Sequence, residues 1–161
     1  MRALIRPRPL AGTITAPASK SEAHRLLICA ALSDRPTRLR LNGTSEDIEA
    51  TADCLRSLGA EVLQEEGALV VTPIRHVPDS PLLDCRESGS TLRFLLPVAT
   101  ALAGEVRFPG SGRLPERPIG ALQAAMARHG VSFSADRLPF KTSGRLQGGA
   151  FDLPGDVSSQ Y

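Results

Sequence analysis

Apolar residues recur every three or four positions in four segments of the chain, which is the period of a helix with one buried face. These stripes are Leu26, Leu27, Ala30 and Ala31; Ile48, Ala52, Leu55 and Leu58; Leu92, Leu95, Leu96, Ala99 and Leu102; and Ile119, Leu122, Ala125 and Met126. Ser19, Ser45 and Ser88 stand where N-cap residues are wanted for the first three stripes, and Pro118 suits the first position of the fourth. The pattern therefore predicts four amphipathic helices. The third contains an internal proline, Pro97, which should kink it or cost about 3 kcal/mol unless packing compensates.

Short apolar or alternating runs bounded by turn residues predict the strands between these helices. The predicted strands are 3–6, 13–15, 37–41, 60–64, 68–72, 105–108, 131–135 and 139–143. Strands 60–64 and 68–72 form a hairpin around Glu65-Glu66-Gly67, and the last two strands form a second hairpin.

The order helix, strand, helix, hairpin occurs twice, which indicates an internal repeat. Ser21 aligns with Ser90, and Arg25 aligns with Arg93 at nearly the same offset. A third copy begins at Ser158-Ser159 and would stop at the last residue, so the sequence looks cut short. Because a repeated unit cannot bury its apolar face alone, the copies are expected to pack on one another.

This pattern predicts a mixed α/β (α+β) fold. We divide the chain into N-terminal strands (1–16), a first unit (17–82), a second unit (83–153) and the start of a third unit (154–161).

Composition and charge exclude several classes of protein. The 161 residues are 42% apolar and 22% charged, which is typical of a folded domain rather than a disordered chain. The net charge of +2 and an aromatic content of 4% give neither a basic footprint nor a stacking surface for nucleic acid. No apolar run approaches the length of a membrane helix, so a cytoplasmic protein without a membrane partner is expected.

The cysteines and histidines are dispersed and predict no metal site. Cys29 and Cys54 lie in apolar helical stripes and are interpreted as core residues. His24 and His129 are interpreted as residues on helix surfaces. No His, Cys, Asp or Glu cluster has the spacing of a metal centre, so no metal or cofactor is expected.

The start of the first helix carries the chemistry of an anion site. A helix N-terminus offers unpaired N–H groups and a partial positive charge. Ser19-Lys20-Ser21 adds hydroxyl groups and an ammonium, and Arg25 follows four residues later on the same face. Of the 19 basic residues, 17 are Arg, and Lys20 and Lys141 are the two lysines. An ordinary capping box with a solvated lysine and arginine remains an alternative.

Three further helix starts have similar chemistry. Ser88-Gly89-Ser90 precedes the third stripe, Ser158-Ser159-Gln160 begins the third copy, and Arg117 precedes Pro118. Gly89 would allow a ligand to approach the backbone closely. In contrast, Glu46-Asp47 and Glu65-Glu66 are interpreted as capping and turn charges, not as a catalytic pair.

Together these motifs resemble the EPSP synthase family, the enolpyruvyl transferases of the shikimate pathway. The resemblance rests on residues 17–21 with Arg25, and on 84–94, 114–119 and 158–160. It implies a fold of two lobes, each built from three βαβαββ units, of which this chain would form an incomplete N-terminal lobe. It also implies transfer of the enolpyruvyl group of phosphoenolpyruvate to the 5-hydroxyl of shikimate 3-phosphate, without a cofactor.

The resemblance assigns roles to particular residues of this sequence. The implied shikimate 3-phosphate ligands are Lys20, Ser21, Arg25, Ser158, Ser159 and Gln160. The implied phosphoenolpyruvate ligands are Lys20, Gly89, Ser90, Arg117 and Gln160, with Lys20 as the catalytic residue. Glu87 stands where many members have Asn, which leaves its role open.

The family's acid and base carboxylates belong to the second lobe. We therefore expect this chain to be inactive alone and to need a C-terminal lobe as its partner. Two alternatives stay open at this point: the sister enzyme that transfers enolpyruvyl to UDP-N-acetylglucosamine, and a non-catalytic anion-binding module.

Overall fold

The structure, a computed structural model, describes residues 4, 7, 9 and 11–156. Four α-helices lie within this part of the chain. They are α1 (Lys20–Ala31), α2 (Glu46–Ser57), α3 (Gly89–Leu102) and α4 (Gly120–Ala127), with a short 3-10 helix (Leu114–Glu116) before α4. All four predicted helices are present, and the hydroxyls of Ser19, Ser45 and Ser88 cap the first three as predicted.

Within the described residues, six strands form two separate three-stranded antiparallel sheets. The strands are β1 (Thr37–Arg40), β2 (Glu61–Glu65), β3 (Ala68–Thr72), β4 (Glu105–Phe108), β5 (Ser132–Phe133) and β6 (Phe140–Ser143). In one sheet β3 lies between β1 and β2, and in the other β6 lies between β4 and β5. The first unit is thus α1–β1–α2–β2–β3 and the second is α3–β4–α4–β5–β6, as the repeat in the sequence predicts.

The segment before each unit's first helix also runs beside that unit's first strand. The amide of Leu83 donates to the carbonyl of Arg107 at 2.8 Å, and a parallel bridge joins Leu82 to Arg107. In the first unit, the amide of Ala18 donates at 3.1 Å to the carbonyl of Asn42, which lies two residues beyond the end of β1. The bridge at Leu82 supplies the first β of a βαβαββ order in the second unit.

One hydrophobic core runs through both units, because the helices of each pack against the other. Fully buried leucines from three helices meet in it, and α2 lies in contact with both α1 and α3. These leucines include Leu27, Leu55, Leu92, Leu95 and Leu96. Neither unit buries its apolar face alone, as expected for a repeat.

Two local predictions differ from the structure. Residues 13–15 form no strand, because no other strand of the described residues lies beside them. Helix α4 begins at Gly120, two residues after Pro118, because the chain first makes the 3-10 turn. Pro97 lies inside helix α3, which continues past it to Leu102. The predicted strand at 3–6 and the predicted third unit fall largely outside the described residues.

No helix in the part of the chain that the structure describes has the length and apolar character needed to cross a membrane.

Candidate anion-binding site

The N-terminal ends of α1, α2 and α3 lie side by side at one end of the helix layer. Lys20 pairs with Asp47 and His24 with Thr51, and both pairs are 27 residues apart in sequence. Helices α1 and α2 therefore run parallel and in register. The hydroxyl of Thr91 in the first turn of α3 lies 3.3 Å from the carbonyl oxygen of Asp47. Three partial positive charges thus point to the same side of the molecule.

The start of α1 presents a lysine held by a carboxylate. The ammonium of Lys20 lies 2.7 Å from Oδ2 of Asp47 and keeps 58% of its side chain exposed. Ser19 caps the helix by accepting from the amide of Glu22 at 3.4 Å, and Ser21 is exposed beside it. The predicted capping box and the predicted lysine site therefore occupy the same turn.

The side chain of Arg25 folds back along the first turn of α1. Its guanidinium donates to the carbonyl of Ser21 at 2.8 Å and lies 4.6 Å from the centre of the Phe94 ring. The cation–π contact joins α1 to α3 and fixes the direction of the arginine. Arg25 is exposed, so its remaining N–H groups stay accessible to solvent or to an anion.

The start of α3 brings two arginines against a glycine. A Cβ atom at Gly89 would lie 2.7 Å from Nη1 of Arg117 and 2.8 Å from Nη1 of Arg93. Nη2 of Arg93 also donates to the carbonyl of Pro118 at 3.0 Å. The missing side chain at residue 89 therefore leaves room for both guanidinium groups beside the N-terminal turn of α3.

Glu87 lies at the edge of this arrangement. Its carboxyl group is exposed and occupies the space that a Cβ at Gly112 would fill, and Gly112 has a positive φ of 51°. The close packing of Glu87 on the Gly112 backbone gives it a place in the loop before the 3-10 helix. Its role toward a substrate stays a prediction.

The start of α2 has the opposite charge. Its first turn carries Glu46, Asp47 and Glu49, which satisfy the helix dipole with carboxylates of the chain itself. Arg86, which precedes α3, lies 3.7 Å from Glu49 and 2.6 Å from Asp53. Asp47 is therefore more than the capping charge that the sequence indicates, because it holds Lys20.

The interpretation of His24 as a helix-surface residue is wrong, because 99% of it is buried. Its Nδ1 shares a hydrogen bond of 2.7 Å with Oγ1 of Thr51. Burial lowers the pKa of the His24 imidazole below its ordinary value, and the positive charges of Lys20 and Arg25 act in the same direction. Asp47 opposes this shift by favouring the charged form.

Sequence periodicity could have found the burial of His24, because it lies three residues before the apolar stripe residue Leu27. The interpretation of Cys29 as a core residue is also wrong, because Cys29 is exposed. Cys54 is buried as predicted, and a hydrogen bond with Cys85 together with burial raises the pKa of its thiol. His129 is half-buried and stacks on Phe151 with ring centres 3.9 Å apart.

An apolar groove of about 430 Å³ opens next to this end of the helices. Arg25 and Arg93 line it together with apolar residues of α1, α3 and α4: Ile28, Phe94, Pro97, Leu122 and Met126. The two arginines that align in the repeat thus share one cavity, whereas Lys20 is not part of its lining.

Of the predicted ligands, the structure places Lys20, Ser21 and Arg25 on the first turns of α1. It places Gly89 and Ser90 on the first turn of α3, with Arg117 against Gly89. The predicted ligands Ser158, Ser159 and Gln160 lie outside the described residues. Among residues 11–156, no group of three His, Cys, Asp or Glu side chains could hold a metal ion.

This geometry defines a class of fold: a repeated α/β unit in which helices α1, α2 and α3 begin at one common end of the helix layer. The same fold is found among solved structures. An EPSP synthase from Acinetobacter baumannii superposes with a TM-score of 0.80 at 23% identity, over 92% of this chain and 36% of its own. The enolpyruvyl transferase NikO from Streptomyces tendae superposes with a TM-score of 0.57 at 15% identity, over 83% of this chain and 31% of its own. The shared feature is the fold of enolpyruvyl transferases.

Sequence comparison identifies the family. The model of the EPSP synthase (3-phosphoshikimate 1-carboxyvinyltransferase) family matches residues 5–161. The 3-phosphoshikimate 1-carboxyvinyltransferase of Clostridium beijerinckii is 39% identical over 98% of this chain, and that of Clostridioides difficile is 36% identical over 98%. The chain belongs to the EPSP synthase family. It spans 38% and 39% of the length of these two relatives.

Proposed function

We propose that this chain takes part in transfer of the enolpyruvyl group from phosphoenolpyruvate to the 5-hydroxyl of shikimate 3-phosphate, with release of phosphate. Its share of the reaction is to bind the two anionic substrates. The start of α1, with Lys20, Ser21 and Arg25, binds part of shikimate 3-phosphate. The start of α3, with Gly89, Ser90 and Arg117, binds part of phosphoenolpyruvate. Ser158, Ser159 and Gln160 complete the proposed ligand set.

One observation carries this proposal: two guanidinium groups, those of Arg117 and Arg93, lie within 3 Å of the position that a Cβ of Gly89 would take, at a helix N-terminus at the same end as Lys20. Backbone N–H groups, a helix dipole and planar guanidinium groups are the elements that bind phosphate and carboxylate. Helix α3 has no acidic residue in its first turn, so no carboxylate of that turn offsets the positive end of the helix dipole. An anionic ligand fits this position.

The proposed chemistry requires charge stabilisation more than proton transfer from these residues. The 5-hydroxyl adds to C2 of phosphoenolpyruvate and gives up its proton while C3 gains one. The resulting tetrahedral intermediate then eliminates phosphate from C2 and a proton from C3, which restores the double bond. Lys20 and Arg117 would offset the negative charge of the phosphate and carboxylate during both steps. Preorganised positive charge of this kind stabilises a transition state by several kcal/mol.

The domain division is part of the proposal. Residues 17–82 and 83–153 are proposed as two repeat units of one lobe, with Leu82 at the boundary bridging to Arg107 of the second unit, and 154–161 is proposed to begin a third. The two separate sheets with matching strand order support the first two units.

The test is calorimetric titration of the chain with shikimate 3-phosphate, phosphoenolpyruvate, inorganic phosphate and UDP-N-acetylglucosamine. We expect shikimate 3-phosphate to bind more tightly than the other three. Lys20→Ala should weaken this binding by about ten- to a hundredfold, because hydrogen bonds to charged groups contribute about 1.5–3 kcal/mol.

Lys141→Ala is the matched control, because Lys141 is the second lysine and lies exposed on β6. It should leave the affinity unchanged. Equal binding of all phosphates would leave only an anion-binding module, and a preference for UDP-N-acetylglucosamine would assign the chain to the sister activity. Equal losses in the two lysine variants would contradict the role of Lys20.

A further inference from the structure

A continuous chain of polar side chains crosses the helix layer behind the basic helix starts. Nδ1 of His24 shares a 2.7 Å hydrogen bond with Oγ1 of Thr51. That hydroxyl shares a 2.7 Å hydrogen bond with Oγ1 of Thr91, which in turn donates to Oγ of Ser88 at 2.7 Å. We call these four residues, His24, Thr51, Thr91 and Ser88, the hydroxyl chain.

The hydroxyl chain is buried in full. Thr51 and Thr91 expose none of their surface, His24 exposes 1% and Ser88 exposes 4%. Apolar residues pack around it, and the ring of His24 meets the edge of Phe94. Burying four polar side chains is unfavourable unless each forms a hydrogen bond. Here each hydrogen-bond partner is another member of the hydroxyl chain or a nearby backbone group. A fully satisfied network of this kind fixes the relative positions of the elements that carry it.

The members of the hydroxyl chain stand next to the proposed substrate-binding residues. Ser88 is the N-cap of α3 and precedes Gly89, while its Oγ also accepts from the amide of Thr91 at 3.2 Å. His24 precedes Arg25 on α1. None of the four is among the residues that we expect to touch a substrate.

The hydroxyl chain also meets the residue that holds the lysine. The carbonyl oxygen of Asp47 lies 3.3 Å from Oγ1 of Thr91 and 3.4 Å from Oγ1 of Thr51, so it is within reach of a hydroxyl proton that is not used inside the hydroxyl chain. The carboxylate of the same residue binds the ammonium of Lys20. Asp47 of α2 therefore links the hydroxyl chain to the exposed ammonium of Lys20.

We infer that the hydroxyl chain positions the two anion-binding helix starts relative to each other. It sets the distance between the α1 start, with Lys20 and Arg25, and the α3 start, with Gly89. Its residues are positioning residues, because they act through the helices and through Asp47. The effect on ligand binding rests on the proposed function. The structural link between the two helices does not.

The first measurement follows the backbone amide NMR shifts of both helix starts in the 161-residue chain. Thr91→Val removes the central hydroxyl with little change of shape, and should shift the amides of Lys20 and Ser21 on α1 as well as those of Gly89 and Ser90. Thr91→Ser keeps the hydroxyl and should restore the shifts at α1.

Thr100→Val is the matched control. Thr100 is also fully buried on α3, but its hydroxyl bonds only to carbonyls of its own helix, at 2.9 Å to Leu96 and 3.1 Å to Pro97. It should leave the amides at both helix starts unchanged. Should Thr91→Val fail to fold, Thr51→Val interrupts the chain one link earlier and is read in the same way.

The second measurement is the affinity for shikimate 3-phosphate and for inorganic phosphate by calorimetry. Thr91→Val should weaken both by about two- to tenfold, the range expected for one lost hydrogen bond, while Thr91→Ser and Thr100→Val bind normally. Loss of affinity in Thr100→Val equal to that in Thr91→Val would contradict positioning, because general destabilisation would then explain it.

The two measurements separate the two proposals. If the unsubstituted chain binds neither shikimate 3-phosphate nor inorganic phosphate, the proposed function fails. The amide shifts alone then decide whether the hydroxyl chain links the helices. If the chain binds but Thr91→Val leaves the α1 amides and the affinity unchanged, the positioning role is overturned and the proposed function stands.

Discussion

The second helices of the two units have the same place in the topology but opposite electrostatic surroundings. Helix α2 is capped by Ser45 and begins with acidic residues. Helix α4 has no side-chain cap, carries no acidic residue in its first turn, and follows Arg117. The repeat therefore preserves the backbone path while the charge at one helix start is reversed.

This difference separates a supporting role for the start of α2 from the binding role proposed for the residues at the start of α4. The acidic start of α2 satisfies its own dipole, and Asp47 holds Lys20 in place. The start of α4 leaves Arg117 lying against Gly89, beside the first turn of α3. A duplicated fold can thus supply one helix that fixes a basic residue and another that presents one.

The largest effect that distinguishes the units is expected at the glycines that end these helices. Gly59 follows α2 with a φ of 99°, and Gly130 follows α4 with a φ of 91°. Both left-handed positions penalise alanine by about 1–2 kcal/mol. A Cβ at Gly59 would also overlap the backbone carbonyl of His76, whereas at Gly130 it would lie 3.1 Å from the carbonyl oxygen of Arg145. Urea unfolding should therefore show Gly59→Ala to be the more destabilising, by about 1–3 kcal/mol.

Gly67→Ala is the control for this comparison. Gly67 has a φ of 64°, and a Cβ there would meet no atom within 4 Å. The free energy of unfolding of Gly67→Ala should fall by the conformational penalty alone, about 1–2 kcal/mol. If Gly59→Ala costs no more than Gly67→Ala, the close approach at His76 does not constrain the first unit.

The second effect concerns the binding role assigned to the second unit. Gly89→Ala should keep the fold, because the atoms that its Cβ would displace are the flexible ends of Arg117 and Arg93. It should weaken phosphoenolpyruvate binding about as much as Arg117→Ala does, roughly ten- to a hundredfold, because both remove charge-assisted hydrogen bonds. Calorimetry on the two variants measures this.

Gly104→Ala lies beyond the far end of α3, where a Cβ would meet no atom within 4 Å, so it serves as the control and should bind normally. Normal binding by Gly89→Ala would show that the two guanidinium groups do not need the space beside the glycine.

The sequence predicts most of the fold because helix and strand signals are local. Serine caps, apolar stripes and turn glycines are sufficient to place four helices and to reveal the repeat. The strand predicted at 13–15 is absent because a strand needs a partner, and pairing depends on residues distant in sequence. The start of α4 is displaced because the 3-10 turn at Leu114–Glu116 delays the helix, which a proline at 118 does not reveal.

The sequence places the proposed ligands at helix starts, but it does not show the contacts that support them. Serine, lysine and glycine at a helix start predict an anion-binding position from local pattern, and that role stays a prediction. The salt bridge from Lys20 to Asp47 and the hydroxyl chain from His24 join separate helices, so no local pattern shows them. They depend on helix register, which becomes visible only when α1, α2 and α3 are packed together.

The third effect concerns pH, and it follows from the lowered pKa of His24. Because burial holds the folded-state pKa below the unfolded value, the unfolded chain binds this proton first. The contribution of a neutral His24 to stability is complete above about pH 6.5 and is lost as the pH falls below it. The slope reaches at most about 1.4 kcal/mol per pH unit. Urea unfolding at several pH values between 5 and 8, roughly the range in which His titrates, measures it.

His24→Asn is the comparison variant, because asparagine keeps a polar group at the position but does not titrate. His76 and His129 remain in the variant, so the difference between the two pH profiles reports on His24 alone. Profiles of equal slope would show that the buried imidazole does not become charged on unfolding in this range.

The smallest effect is expected for the ion pair that supports Lys20. The Lys20 side chain is 58% exposed and that of Asp47 33%, and exposed ion pairs contribute about 0.2–1 kcal/mol. Asp47→Asn should therefore cost less than about 1 kcal/mol in urea unfolding, and less again in high salt. Asp53→Asn should cost more, because Asp53 pairs at 2.6 Å with both Arg56 and Arg86 and so ties α2 to the loop before α3. The reverse order would mean that α2 is anchored chiefly through Lys20, and the acidic start of α2 would then stabilise the fold rather than only position a basic group.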